Sequence, residues 1–263
     1  MKLTLIITTY NWPQSLLLVL KSVLNQTVYP NEIIIADDGS GSETMDLISS
    51  FKKETNLNII HSWQDDIGFR AARSRNNAII KSTGDYIVLI DGDVILHPKF
   101  LQDHLANMEN GYFVQGSRVL LSEIQTNKIL NIEKTNFPAI LDVLQNRKNS
   151  IHSNLLSKIF SNKKNTLHGV KSCNMGFFRQ DCKNVNGFNN DFEGWGREDS
   201  EFVVRMINSG IKRKNVRFNA VQFHLWHLEN SRKSLKDNDV LLDEAINNNL
   251  NWCMNGINSK NES

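Results

Sequence analysis

An α/β fold, with a mostly parallel central sheet and helices on both of its faces, is predicted by three features of this chain. Apolar stretches of strand character alternate with helical stretches from the amino terminus to residue 91. The strands are near-continuous apolar runs, as expected where both faces of a sheet are covered. Polar and acidic residues gather where three of these strands end: Thr8 to Asn11, Asp37 to Ser40, and Asp91 to Asp93. Ligands of open parallel sheets bind outside the carboxyl ends of the strands, so these groups are expected to converge in space.

Taken in order, LTLIITTY reads as a buried strand, and Asn11 and Pro13 follow it as helix-start signals. SLLLVLKSVLNQT reads as a helix packed on the sheet. NEIIIADDGS is a second strand running into a turn, TMDLISSFKKE a second helix and LNIIHSW a third strand. RAARSRNNAIIKS is a third helix, broken by Thr83 and Gly84 ahead of the strand DYIVLID. After about residue 120 the rhythm is lost. Residues 121–168 are rich in Asn, Lys and Ser, with scattered apolar positions such as Leu155, Leu156, Ile159 and Phe160, and read as an irregular helical insertion. Within it, SNLLSKIFSNKKN reads as a short amphipathic helix with a basic end. That helix is either a solvated surface or a contact for an anionic acceptor or membrane surface. Compact sequence resumes at residue 169, and the Asn-rich tail after about residue 228 is expected to be a helix with a frayed end.

Composition narrows the function classes. The chain has 263 residues, 40% of them apolar and 22% charged, enough for one large domain with a sizeable core. A net charge of +2 gives no reason to expect nucleic acid as a partner. Cys173, Cys182 and Cys253 show no metal-type spacing and are expected to be reduced thiols. The opening MKLTLIITTYN has too short an apolar run for a signal peptide, and no stretch approaches a membrane span. A cytoplasmic protein is expected, with peripheral contact at the inner face of the membrane left open.

Four groups of residues carry chemistry. Asp91 and Asp93 lie one glycine apart and face the same side if the strand continues. Paired carboxylates repel unless a cation lies between them or one is protonated, and a hard divalent cation is the simplest remedy. Gly92 would leave room for a ligand or metal to approach. Alone, such a pair is more often simply the acids of a strand-to-turn junction than a metal site. In GWGREDSEFVVRMINSG, Phe202, Val203, Met206 and Ile207 have helical spacing and Gly210 suits the helix end, which puts Glu198 and Asp199 in the first turn. There they either cap the helix dipole or are kept ionised by it, and an ionised carboxylate beside a hydroxyl is a general base. Trp195 either packs in the core or offers its indole face to a sugar ring. His224 and His227 end a strand as a candidate metal pair. Arg70, Arg73 and Arg75 form either a solvated face or a diphosphate contact. GSGSET lacks the spacing of a dinucleotide site, which argues against a nicotinamide enzyme.

Together, TTYNWP, ADDGS, SRNNAI and LIDGD resemble the nucleotide-sugar half of family-two glycosyltransferases with the GT-A fold, a Rossmann-like architecture. NMGFFR followed by GFNNDFEGWGREDSEFVVRM resembles the carboxyl-terminal segment of β-1,4-galactosyltransferases and of bacterial chondroitin polymerases. The resemblance covers roughly residues 1–118 and 169–228. It implies one GT-A domain with a nucleotide-sugar half at 1–118, an insertion at 119–168, an acceptor-binding and catalytic half at 169–228, and a tail at 229–263. It also implies roles. Thr8, Tyr10 and Asp38 hold uridine. Arg75 lies near the diphosphate. Asp91 with Gly92 contacts the ribose or the metal's water shell, and Asp93 is a direct metal ligand. Asp199 is the base, and Glu198 holds the acceptor with Trp195, Gly196 and Asn174. Where the galactosyltransferases carry a Met and a His as further ligands, this chain has His224 and His227. Arg197 also departs from the pattern and bears on the acceptor. The implied partners are a UDP-sugar, Mn2+ or Mg2+, and an acceptor oligosaccharide, free or lipid-linked. The implied reaction is an inverting transfer that forms a β-linkage, in capsule or lipooligosaccharide synthesis. A sugar nucleotidyltransferase would show a glycine-rich basic loop after the first strand, where TTYNWPQ stands instead. A binding module without turnover would not need Asp93, Glu198, Asp199 and both histidines.

Overall fold

The computed structural model describes residues 1–132, 143–145, 147–228 and 231–258. The first half follows the predicted alternation: β1 (Leu3–Thr9), α1 (Pro13–Leu24), β2 (Glu32–Asp37), α2 (Ser42–Glu54), β3 (Ile59–Trp63), α3 (Ala71–Lys81) and β4 (Tyr86–Asp91). β5 (Val94–Leu96), α4 (Phe100–Asn107), β6 (Tyr112–Gln115), β7 (Arg118–Leu121), α5 (Glu123–Ile132), β8 (Val143–Gln145), α6 (Asn154–Phe160) and β9 (Asn162–Lys163) come next. The chain continues through β10 (Asn174–Phe178), α7 (Arg179–Asn184), α8 (Glu198–Asn208), β11 (Lys212–Asn215), β12 (Gln222–His224) and α9 (Leu235–Asn247).

The main sheet has the order β3-β2-β1-β4-β10-β6-β11-β9. β1, β2, β3 and β4 are parallel, β10 runs antiparallel between β4 and β6, and β11 pairs parallel with β6. Alternation of side chains splits each central strand between two cores. Leu5, Ile7, Ile33, Ile35, Val88 and Ile90 meet Leu16, Val19, Leu20 and Val23 of α1 on one face. Ile6, Ile34, Ile87 and Leu89 meet Ala78 and Ile79 of α3 and Phe202, Val203 and Met206 of α8 on the other. Burying each such large side chain stabilises the fold by about 1.5–3 kcal/mol, which fixes strand register and hence the positions of the strand ends.

Several expectations need correction. Asn11 does not cap α1; Trp12 occupies the cap position, Pro13 begins the helix, and the Asn11 side chain instead accepts from Gly41 N at 2.9 Å. The segment 119–168 is not merely irregular and helical. β7 and β8 pair within a second, four-stranded sheet of order β5-β12-β7-β8, and β9 extends the main sheet. The tail forms the expected helix, α9, and continues in order beyond it. Asn190 N donates to Asn255 O at 2.7 Å and Ile257 N to Asn186 O at 2.9 Å, so the chain packs back as far as residue 258; the terminal residues 259–263 lie outside the described residues. The three cysteines are free and buried, as expected.

Candidate active site

A cavity of about 780 Å³ opens at the carboxyl ends of β1 and β4. Its lining includes Thr8, Tyr10, Asp38, Arg75, Asp91, Asp93, Trp195, Gly196, Glu198, Asp199, His224 and His227. Twelve residues singled out in the sequence, spread over 220 positions, thus meet in one place.

The β1 and β2 ends form one wall. Asp37 turns inward, fully buried, where it accepts from Ser40 N at 2.8 Å and contacts His61 at 2.8 Å. Asp38 faces the cavity. Gln64 donates to one of its oxygens at 2.6 Å and Arg70 N to the other at 2.7 Å, which fixes the carboxylate in one orientation. Tyr10 stands exposed at the rim, its hydroxyl 3.1 Å from Asp66.

The second sheet builds the next group. β12 pairs antiparallel with β5 so that His224 lies opposite Val94, and Leu225 N donates to Asp93 O at 2.8 Å. This registry brings both histidines to Asp93: His227 Nε2 is 3.2 Å and His224 Nε2 3.4 Å from Asp93 Oδ2. One ligand atom from each of the three lies within 4.8 Å of the others. Each imidazole has its Nδ1 against a backbone carbonyl, that of Leu225 for His224 at 2.8 Å and that of Leu228 for His227 at 2.7 Å. A carbonyl accepts only, so Nδ1 carries the proton and Nε2 is the ligating nitrogen. Among the described residues Asp93 Oδ1 is buried without a hydrogen-bond partner, an atom that a cation would satisfy. The set therefore fits a divalent cation. Two imidazoles and one carboxylate suit Mn2+ better than the oxygen-seeking Mg2+. Burial alone would raise the Asp93 carboxyl, but His224 and His227 hold it below the usual range. The Asp93 hydrogen bond in turn raises His227 to about 9.

The opposite wall is the start of α8. The loop entering it has positive φ at Gly194 (+73°), Arg197 (+76°) and Gly196 (+108°), conformations that favour glycine at two of the three positions. Between them Trp195 is 39% exposed, which places it at the cavity rim and excludes core packing. Glu198 and Asp199 follow in the first turn, as predicted. Asp199 stays mostly ionised near neutrality, as expected, but it is a weaker acid than an ordinary carboxyl. Burial, and then the Glu198 charge, push it up to about 6, although Ser200 hydrogen bonds act in the other direction. Ser172 N and Ser200 Oγ donate to its two oxygens at 3.3 and 3.2 Å.

The comparisons with known proteins bear on this arrangement. The family model described as glycosyl transferase family 2 matches residues 4–185. The chain belongs to that family. A second model, described as the N-terminal domain of galactosyltransferase, matches residues 156–228 of this glycosyltransferase. Chondroitin synthase of Escherichia coli is 25% identical over 245 residues, which cover 84% of this chain and 34% of that protein. Hyaluronan synthase of Pasteurella multocida is 27% identical over 233 residues, covering 81% and 24% respectively. The glycosyltransferase thus spans roughly a quarter to a third of the length of these curated relatives. Among solved structures, TarS of S. aureus superposes with a TM-score of 0.65 at 17% identity, over 94% of this chain and 40% of that one. Mannosyltransferase PcManGT from Pyrobaculum calidifontis, solved with GDP-Man and Mn2+, gives 0.57 at 16% identity, over 85% and 56%. The fold is GT-A.

Two residues named from the sequence are not placed for the contacts expected of them. Asn174 is 1% exposed and lies outside the cavity lining; its amide donates to Ser117 O and Ala220 O at 2.9 Å, and its oxygen is 2.9 Å from His104 Nε2. Its role is to join β10 to two loops. Gly92 faces its own fold: its N–H donates to Thr8 O at 2.6 Å, and a Cβ there would sit 2.8 Å from that oxygen. The glycine permits β4 to close against β1, not a ligand to approach. The arginine cluster also divides. Arg73 is exposed, Arg70 serves Asp38 through its backbone, and Arg75 alone lines the cavity. Sequence reasoning missed three cations in the lining, Arg118, Lys171 and Arg232, the last with its guanidinium 5.3 Å from the centre of the Trp195 ring. Arg118 opens β7, Lys171 precedes β10 and Arg232 precedes α9; none belongs to a motif, and only the packing of these distant segments brings them to the site.

Proposed function

We propose that this glycosyltransferase moves a sugar from a UDP-sugar to a hydroxyl of an acceptor glycan, with inversion, aided by a divalent cation. The observation that carries this reading is the presence in one cavity of the Asp93, His224 and His227 cluster and of Asp199, a carboxylate tuned near neutrality. Asp93, His224 and His227 would hold the cation, and the chemistry it would supply when bound is Lewis-acid neutralisation of the leaving diphosphate. Tyr10 offers a ring face to uracil, and the fixed Asp38 carboxylate accepts from the base, with Thr8 beside them. TarS has been solved with UDP and with UDP-GlcNAc, which supports a uridine donor. Arg118, close enough to lower the Asp93 carboxyl, adds positive charge where the diphosphate leaves.

Trp195, Gly196 and Glu198 position the acceptor. Asp199 takes the proton of its hydroxyl as that oxygen bonds to the anomeric carbon. The bond from that carbon to the diphosphate oxygen breaks, and its electron pair leaves with UDP. One displacement from the opposite face turns an α-linked donor into a β-linked product. General-base help of this kind is worth about 10²- to 10⁴-fold. The chondroitin and hyaluronan synthases among the relatives support a place in surface polysaccharide or lipooligosaccharide synthesis.

The test is a thermal-shift screen of nucleotide sugars with and without Mn2+, followed by assay of UDP release. A ligand that binds only the folded state raises the midpoint by mass action. A Mn2+-dependent shift with one UDP-sugar, and UDP release abolished by chelator, is the expected result. UDP-sugar binding and turnover indifferent to chelator would remove the cation from the mechanism.

A further inference from the structure

The surface around α6 is not used by the transfer reaction. Residues 143–165 contain five Lys and Arg and no Asp or Glu, in a chain whose net charge is only +2. Within this stretch α6 turns apolar side chains outward: Leu155 is 69% exposed, Ile159 63% and Phe160 48%. Leu155 and Ile159 are four apart and share a helix face. Helices on globular proteins ordinarily turn the apolar face inward, but the buried residue of α6 is Ser157. The helix is held through polar contacts. Ser153 caps it by accepting from Leu156 N, and Ser157 Oγ lies 3.1 Å from Ser161 Oγ. Phe218 extends the apolar patch, its ring 5.6 Å from that of Phe160, with the Arg217 guanidinium 5.7 Å above it.

Charge identifies the occupant. Lys158 projects from α6 itself, and exposed Lys164 and Arg217 flank it. None of the three makes an ion pair among the described residues, whereas Lys163 and Lys214 share Glu109. We propose that this surface docks on an anionic lipid bilayer. Leu155, Ile159 and Phe160 enter the boundary of the acyl region while the cations meet lipid phosphates. A second copy of the chain would set like charges against each other, whereas an anionic surface complements them.

Topology gives the docking a consequence. β10 runs antiparallel to both β4 and β6, so β6 and its parallel partner β11 share the direction of β4. Asn162 of β9 pairs with Asn215, the last residue of β11. α6 ends at Phe160, just before Asn162, so it lies off the carboxyl edge of the sheet, the edge at which the cavity opens. A bilayer docked there lies along the edge from which an acceptor carried on a lipid would reach the cavity. Among the described residues no helix is long and apolar enough to cross a membrane.

Sedimentation of the full chain with phosphatidylcholine vesicles, with and without phosphatidylglycerol, tests this independently of turnover. Binding is expected only to the anionic vesicles and to weaken with salt. Leu155→Ser combined with Ile159→Ser and Phe160→Ser should lower vesicle affinity by about tenfold or more without changing the thermal midpoint or Mn2+-dependent UDP binding. Lys158→Glu with Lys164→Glu should weaken it too. Equal binding to neutral vesicles, no binding to either, or full binding by the triple serine variant would overturn the proposal. So would concentration-dependent dimers that the triple variant dissolves, in the absence of vesicle binding.

Discussion

The Arg75 guanidinium donates to Glu198 Oε1 at 2.9 Å and reaches Asp91 Oδ1 at 3.6 Å. One buried cation on α3 thereby ties the end of β4 to the start of α8, elements more than a hundred residues apart in the sequence. Removing one member of a buried pair leaves the other charge uncompensated, at a cost of about 3–5 kcal/mol. Arg75→Ala is expected to lower the urea midpoint accordingly. Arg75→Lys, a point charge without the planar fork, should recover stability only in part. An unchanged midpoint in the alanine variant would show that the bridge is not a structural tie.

Asp199→Asn is expected to lose about 10²- to 10⁴-fold in kcat while keeping UDP affinity. In the unaltered enzyme kcat/KM should rise with pH through about 6, as Asp199 ionises, and level above it. Stability moves the other way. The folded-state pKa lies above the ordinary 3.8, so the contribution of Asp199 is fully present below that value and is lost as pH rises through about 6. Asp199→Asn should therefore raise the thermal midpoint near neutrality but not near the ordinary pKa. Normal turnover in this variant would exclude Asp199 as the base.

The parallel half of the fold and most of the site were legible because each rests on local signals: apolar runs bounded by turns, and acids at strand ends. What was hidden depends on pairing between distant segments. β5, β7, β8 and β12 are three or four residues long, too short for periodicity to register, yet their sheet carries His224 to Asp93. Asn174 stands beside a motif and reads as a ligand contact. Its actual partners, Ser117, Ala220 and His104, lie 46 to 70 residues away and no local pattern announces them. The same holds for Arg118 and Lys171.

Replacing Asp93, His224 or His227 by alanine is expected to weaken Mn2+-dependent UDP binding by more than about tenfold each. Calorimetry with UDP, with and without Mn2+, measures this, and the three variants should converge on the affinity seen without metal. If His224→Ala alone binds normally, His227 is the histidine ligand and His224 only orients Asp93. That outcome would decide between two residues that the sequence left equivalent.

The loop that carries Trp195 is held from behind by α9. Asn238 is 2% exposed, and its amide donates to Glu193 O at 3.2 Å and Gly196 O at 2.9 Å. Arg197 Nε donates to Asp239 Oδ1 at 2.6 Å from the same loop, and a Cβ on Gly194 would meet Ser234 Oγ at 2.3 Å. α9 itself rests on α8 through Val204, Leu242 and Ala245. Losing the Asn238 amide leaves two carbonyls without their donor, a cost of about 1–3 kcal/mol. The exposed Arg197–Asp239 pair contributes little by comparison. Asn238→Ala is therefore expected to raise the acceptor KM and destabilise the fold moderately, with UDP affinity and the pH midpoint of kcat/KM unchanged, because Gln64 and Arg70 hold Asp38, Ser172 and Ser200 hold Asp199, and none of these lies on α9. Asp239→Ala should leave stability within about 0.5 kcal/mol of the starting protein. A donor affinity that fell in step with the acceptor KM in Asn238→Ala would show that the loop supports the whole cavity rather than its acceptor wall.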